Sequence, residues 1–259
     1  TATTFADNAS AMQSYNQLDQ LTAVTDPKGV ATQYQRNAFG DVLSEASPDT
    51  GTTSYQRNAA GEVIASLDAN GNAATITRDA LGRPLVVTRS NPNSTTSQIA
   101  HVSTYTYDTG SAGAQTGYLA SLEDPSGRTT YERDSFGRIL SKTQQVNDNP
   151  AAPGTYTTRY TYSTGPNKGE LASITYPSGL KAIYSRSASG QITGISTQAP
   201  GFNKPTVLFV SAISYTALGQ PKAWNWANGA SAVRTFDADG RMTSNQLASY
   251  TFDAATHSN

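Results

Sequence analysis

Glycine recurs along this chain at a nearly fixed interval. Positions 29, 40, 51, 61, 71 and 82 are all glycine, so successive gaps are 11, 11, 10, 10 and 11 residues. The interval returns at Gly117, Gly127 and Gly137, at Gly169, Gly179 and Gly190, and at Gly219, Gly229 and Gly240. Asp19 stands where the next glycine upstream would fall. A fixed period is the mark of a repeat architecture in which each unit is one small supersecondary element. Ten residues leave about six for a strand and four for a turn. The period therefore predicts an all-β chain of tandem strand-turn-strand units in an antiparallel meander. Residues 1–259 read as a single array, with clear repeats over about 15–253.

Two kinds of turn alternate. One carries Asp or Pro before the glycine, as in Asp26-Pro27-Lys28-Gly29, Pro48-Asp49-Thr50-Gly51, Asp124-Pro125-Ser126-Gly127 and Tyr176-Pro177-Ser178-Gly179. Proline presets φ there, and glycine accepts the positive φ that closes the turn. The other kind follows an aromatic or aliphatic residue and an arginine. Tyr34 and Arg36 precede Gly40, Tyr55 and Arg57 precede Gly61, and Ile76 and Arg78 precede Gly82. Tyr131 and Arg133 precede Gly137, and Tyr184 and Arg186 precede Gly190. Residues two apart on a strand share a face. These pairs are therefore expected to form a ladder along one face that fixes register. The Asp or Asn after the arginine (Asn37, Asn58, Asp79, Asp134) is expected to relieve repulsion between stacked guanidiniums.

Composition narrows the partners. Charged residues are 14% and the net charge is -1, against about 25% charged in an average globular domain. Nucleic acid needs a basic face, and this chain offers none. No run approaches the roughly 20 apolar residues of a membrane helix. Residues Thr1 to Phe5 lack the basic and apolar regions of a signal peptide. With no cysteine there is no disulfide, thiolate metal site or thiol nucleophile. Polar stretches near 91–97, 109–117, 146–154, 163–168 and 198–205 read as lengthened hairpin loops, since each returns to an in-phase strand.

Few residues invite chemistry. His101 and His257 have no companion ligands in sequence. Asp68-Ala-Asn-Gly71 and Asp237-Ala-Asp-Gly240 are similar to the opening of a calcium loop, but the required glutamate at position 12 would fall on Asp79 and Ala248. Both therefore read as turns, and no metal or cofactor is expected. No Gly-x-Ser-x-Gly or Gly-Lys-Ser/Thr motif occurs. Trp224-Asn-Trp226 would place both rings on one strand face, where they either pack on neighbouring repeats or stack against sugar.

The segment Asp124-Pro-Ser-Gly-Arg-Thr-Thr-Tyr-Glu-Arg-Asp-Ser-Phe-Gly-Arg138 resembles an RHS repeat, also called a YD repeat. So do Ile76-Thr-Arg-Asp-Ala-Leu-Gly-Arg83, Tyr105-Thr-Tyr-Asp108 and Phe236-Asp-Ala-Asp-Gly-Arg241. The resemblance implies a long curved antiparallel sheet, a segment of a spiral β-cocoon like those of bacterial toxin complexes and teneurin receptors. It implies a secreted or cell-surface parent. It also implies a structural, non-catalytic role: enclosing or scaffolding a toxin or other cargo polypeptide, or packing on neighbouring repeats. Complete bacterial members end in a core motif that closes the shell and cuts the chain, and no such element is seen in these residues. A fragment of a repeat region is expected, with strand edges open to self-association. The alternative is a carbohydrate- or cell-surface-binding module built on Trp224 and Trp226.

Overall fold

The computed structural model describes residues 2–4, 10–91, 100–108, 116–147, 154–165 and 167–249. Every regular element among them is a β-strand. The strands are β1 (Ala2–Thr4), β2 (Ser10–Tyr15), β3 (Leu21–Thr25), β4 (Ala31–Arg36), β5 (Val42–Ser47), β6 (Gly51–Arg57) and β7 (Val63–Leu67). They continue as β8 (Ala73–Arg78), β9 (Pro84–Ser90), β10 (His101–Tyr107), β11 (Leu119–Asp124), β12 (Gly127–Arg133), β13 (Ile139–Val146) and β14 (Gly154–Tyr162). The last are β15 (Leu171–Thr175), β16 (Lys181–Arg186), β17 (Ile192–Gln198), β18 (Thr206–Tyr215), β19 (Pro221–Trp226), β20 (Ser231–Phe236) and β21 (Met242–Ser249).

They fall into two compact units. The first holds β1–β11 and the start of β12; the second holds the end of β12, nearly all of β13, and β14–β21. In the first, each strand from β1 to β11 pairs antiparallel with the next. In the second, the same meander runs from β14 to β21, and Thr143 of β13 shares a 3.0 Å hydroxyl bond with Thr157 of β14. The antiparallel, all-strand fold is the one the glycine period predicts.

The turns explain the period. At the β4–β5 hairpin, Asn37 N donates to Asp41 O at 3.0 Å, and Gly40 N donates to Asn37 O at 3.1 Å. This is a three-residue loop whose last residue must take positive φ, and Gly40 sits at φ 90°. Asp19 fills the same place in the β2–β3 turn at φ 56°. Aspartate tolerates that region better than most residues. The loop at 198–205 joins β17 to β18 and includes Gly201 at φ 114° and Asn203 at φ 55°. The stretches read as loops at 91–97, 109–117 and 146–154 lie largely outside the described residues.

Alternate strand positions differ in cover. On β6, Thr53, Tyr55 and Arg57 are half-buried while Thr52, Ser54 and Gln56 are exposed. No large side chain among the described residues is fully buried, and the buried apolar set is small: Val87, Ala120, Val210, Ala230 and Ala232. Such strands lean on cross-strand rows and backbone ladders rather than on a deep core.

Candidate functional site

The aromatic-arginine hairpins share a break in their pairing. In the β4–β5 pair, Arg36 faces Val42 but Gln35 faces Ser44, so Leu43 is an extra residue in a bulge. The same shift occurs between Gln56 and Arg57, Thr77 and Arg78, and Ser185 and Arg186. Hairpins of the other kind, such as β5–β6 and β7–β8, run without a shift. Bulges bend their strand and leave the ladder locally broken. Accordingly, the β5–β6 register covers only Ser44–Ser47 of β5, and the Val42 carbonyl lies beyond the last paired residue.

Arginine fills that gap. Arg57 Nε donates to Val42 O of the preceding hairpin at 2.9 Å, and its Nη1 donates to Gly61 O of its own turn at 2.6 Å. Arg36 does the same to Leu21 O at 2.7 Å and Gly40 O at 2.7 Å. Arg78 uses Nη2 for Val63 O at 3.1 Å and Nη1 for Gly82 O. Arg186 bonds Leu171 O at 3.2 Å and Gly190 O, and Arg133 bonds Gly137 O at 3.0 Å. The five-donor fork of arginine suits this double reach. In two copies the guanidinium also lies near its companion ring, 5.6 Å from Tyr34 for Arg36 and 5.7 Å from Tyr131 for Arg133.

Asn37 and Asn58 do not serve as partners for these arginines. Asn37 Oδ1 accepts from Phe39 N and Asp41 N, and Asn58 Oδ1 accepts from Ala60 N and Glu62 N. These are Asx caps that shape the turn. Asp79 and Asp134 cap their turns likewise. Their charge meets a different arginine, the one after the glycine: Arg83 Nε–Asp79 Oδ2 is 2.7 Å and Arg138 Nη2–Asp134 Oδ2 is 2.6 Å. Asp68 and Asp237, the calcium-like openings, are Asx caps too. Among the described residues no group of three or more His, Cys, Asp or Glu could hold a metal. His257 lies outside the described residues.

A second clamp uses tyrosine. Tyr162 OH donates to Ile139 O at 2.8 Å, and Tyr215 OH donates to Ile192 O at 2.7 Å. These carbonyls stand two residues after a turn glycine, as Val42 and Val63 do. Arg138 lies 4.4 Å from the Tyr162 ring, and Arg83 lies 4.3 Å from the ring of Tyr107, with Asp108 as a second anion. Burial pushes the Tyr107 and Tyr162 hydroxyls up from their ordinary value. Hydrogen bonding to Arg83 is the main force holding the Asp108 carboxyl down. Burial pulls the other way at Asp79 and Asp134, where the arginine and backbone donors outweigh it. Tyr162 and Tyr215 were not singled out as clamp residues in the sequence, where they end Tyr160-Thr-Tyr162 and Ile213-Ser-Tyr215 in place of an aromatic or aliphatic residue and an arginine. At Phe236 the hydroxyl is missing; there Gln220 Nε2 donates at 2.8 Å to the carbonyl of the turn glycine, Gly240, the place that arginine Nη1 fills in the other hairpins.

The remaining motif residues belong to the turns of the opposite margin. Gly29, Gly51, Gly71, Gly179 and Gly229 have φ between 74° and 85°, and Gly127 has φ 148°. Asp124 Oδ1 accepts from Ser126 N beside Pro125. Tyr184 faces Ile195 across the β16–β17 pair. Trp224 and Trp226 lie edge to face, with centroids 6.0 Å apart at 80°. Trp226 Nε1 donates to Leu247 O, and Arg234 lies 4.9 Å from the Trp224 ring. With Phe209, Ile195 and Ile213 they line an apolar groove of about 370 Å³.

Residues 15–53 match the RHS Repeat family. No curated protein matches the chain in sequence. Among solved structures, the crystal structure of TcdB2-TccC3 is similar over 94% of this chain with TM-score 0.75 and 18% identity. The crystal structure of TcdB2-TccC3-Cdc42 gives 0.74 over 90% at 19% identity. The Photorhabdus luminescens Tc holotoxin pore gives 0.73 over 93% at 18%. The matched region is 12% or 13% of those chains.

Proposed function

We propose that this chain, an array of RHS repeats, is a non-catalytic segment of a repeat shell that encloses or supports a cargo polypeptide, a toxin in the setting the resemblance implies. The observation that carries this is the clamp. The arginine side chains that recur in the motif are directed at backbone carbonyls, so the repeat uses its strongest donors to build itself. Residues 1–259 then act as one array, within a larger secreted or cell-surface parent. A second feature supports the reading of a segment. Phe39, Leu81, Phe136 and Leu218, each just before a turn glycine, are 92%, 74%, 72% and 70% exposed. Large apolar groups recurring at one turn position mark a contact surface, here for neighbouring repeats of the parent or, in the isolated chain, for a second copy.

The cargo-facing surface in this reading is the apolar groove of Trp224, Trp226 and Phe209. Its edge-to-face indoles make no flat platform, which favours an apolar peptide segment over a stacked sugar. The chain has two tryptophans, both in this groove, so intrinsic fluorescence reports on it alone. Titration with a tryptophan-free, permanently unfolded polypeptide should shift the emission to the blue, and Trp224→Ser should weaken that response. Emission that stays unchanged to saturating polypeptide would remove the cargo assignment.

A further inference from the structure

Strand β18 carries two breaks in its pairing. Against β17, Ile195 faces Val210 and Ser196 faces Leu208, so Phe209 is an extra residue. Against β19, Ser211 faces Asn225 and Ser214 faces Ala223, so Ala212 and Ile213 together oppose Trp224. Ala212 takes φ 52° to do this, a region that a residue with a Cβ rarely enters. Bulges re-aim side chains, and here Phe209 and Ile213 join Trp224 and Trp226 on the wall of the apolar groove of about 370 Å³. The polar atoms along this wall are already committed. Tyr215 OH donates to Ile192 O at 2.7 Å, and Trp226 Nε1 donates to Leu247 O at 2.9 Å. Whatever part of a ligand enters the groove must therefore be hydrocarbon.

The groove has one charged end. Arg234 lines it and also lines an open recess of about 540 Å³ together with Lys222. Ala223 faces Val233, so Lys222 and Arg234 hold the next position along the same strand pair, where like charges repel. Arg234 Nε donates to Asn245 Oδ1 at 3.2 Å, and its guanidinium lies 4.9 Å from the Trp224 ring. Both partners are neutral. Among the described residues no carboxylate pairs with Arg234 or Lys222. Asp237 also lines the recess, but it caps its own turn, accepting from Asp239 N and Arg241 N. Two adjacent cations at the end of a hydrocarbon-lined groove match a ligand with an anionic head and an apolar tail. We infer that the groove binds a long-chain carboxylate, with its head held by Arg234 and Lys222 and its tail against Trp224, Trp226 and Phe209. The volume lies within the range of small-ligand sites, and a guanidinium fork fits a carboxylate in two-point contact. A cargo polypeptide needs the groove only to be apolar; a long-chain carboxylate also needs the two cations, so the two occupants can be told apart.

The test titrates decanoate, kept below micelle formation, into the whole chain and follows tryptophan emission and heat. Hexanoate and octanoate vary the tail, decanol and decyltrimethylammonium vary the head, and phosphatidylglycerol vesicles present anionic heads on a lipid surface. Saturable binding of decanoate is expected, with affinity rising up to about fourfold for each methylene added from hexanoate onward. Decanol and the ammonium should bind about tenfold more weakly or worse, as loss of a charge-assisted contact implies. Arg234→Gln with Lys222→Gln should weaken decanoate by about the same factor and leave decanol unchanged. Lys222→Gln alone breaks no contact within the described chain, so it should weaken decanoate by a smaller factor at a wild-type unfolding midpoint. Equal binding of the ammonium, an affinity that ignores tail length, wild-type affinity in both variants, or no binding of decanoate at millimolar concentration would each overturn the inference. Binding to the vesicles with none to free decanoate would overturn it too, in favour of a lipid surface.

Discussion

At the scale of single residues, Arg57 carries the clearest prediction. Replacing it with alanine leaves the carbonyls of Val42 and Gly61 without their donor, and unmet polar groups of this kind cost about 1–3 kcal/mol. Arg57→Ala should therefore lower the urea midpoint. Arg57→Lys should recover only part of the loss, because an ammonium lacks the fork that reaches both carbonyls. Acid should act through the other arginines. Asp79, Asp108 and Asp134 are held below their ordinary 3.8, so their contribution is full above that value and is lost as pH falls through their folded values. Tyr107 and Tyr162 are raised from 10.0, so their contribution is full below 10.0 and is lost as pH rises through the folded values. A pH series of denaturation midpoints should slope downward at both ends, and Asp108→Asn should flatten the acid side. The arginine positions were legible in sequence because their offset from glycine never varies. Their partners were not, since a strand carbonyl leaves no sequence signal. The tyrosine clamp was hidden for another reason: Tyr215 keeps the position of Arg57 but changes its chemistry.

At the scale of elements, the two hairpin kinds separate by their bulges. Sequence showed the alternation of turns, yet a bulge depends on which of Val42 and Leu43 faces Arg36, and two adjacent apolar residues look alike in a pattern. The turns also pack on each other in ways the period does not reveal. A Cβ built on Gly51 would lie 2.3 Å from the Ala69 Cβ of the next turn on that margin, while one on Gly29 would meet nothing within 4 Å. Both glycines hold positive φ, which costs a side chain about 1–2 kcal/mol. Gly51→Ala should therefore destabilise more than Gly29→Ala in thermal denaturation. Adding Ala69→Gly should bring Gly51→Ala back toward the smaller loss. If the two single variants match, turn-to-turn packing does not limit the spacing of repeats.

At the scale of the whole molecule, the described residues bury so small a core that stability must be distributed along the length of the chain. In repeat arrays each unit answers mainly to its neighbours. The exposed tips Phe39, Leu81, Phe136 and Leu218 belong to this scale too, as the contact margin of the proposed shell. Phe39→Ser with Leu81→Ser should reduce dye binding and self-association in sedimentation at little cost in stability, and a large drop in the unfolding midpoint would show that the tips pack within the chain. The period made the repeat design legible, but not the tips, because Phe39 and Leu81 read as ordinary apolar residues until their turns place them outside. Side-chain clamps from Arg36, Arg57, Arg78, Arg186, Tyr162 and Tyr215 each join a hairpin to the one before it and hold the array together. Hydrogen exchange of backbone amides in Arg57→Ala tests this most directly. Protection should fall in β4 to β7, around the broken clamp, and stay at the wild-type level in β15 to β20. Uniform loss across all strands, or no loss near Arg57, would contradict it.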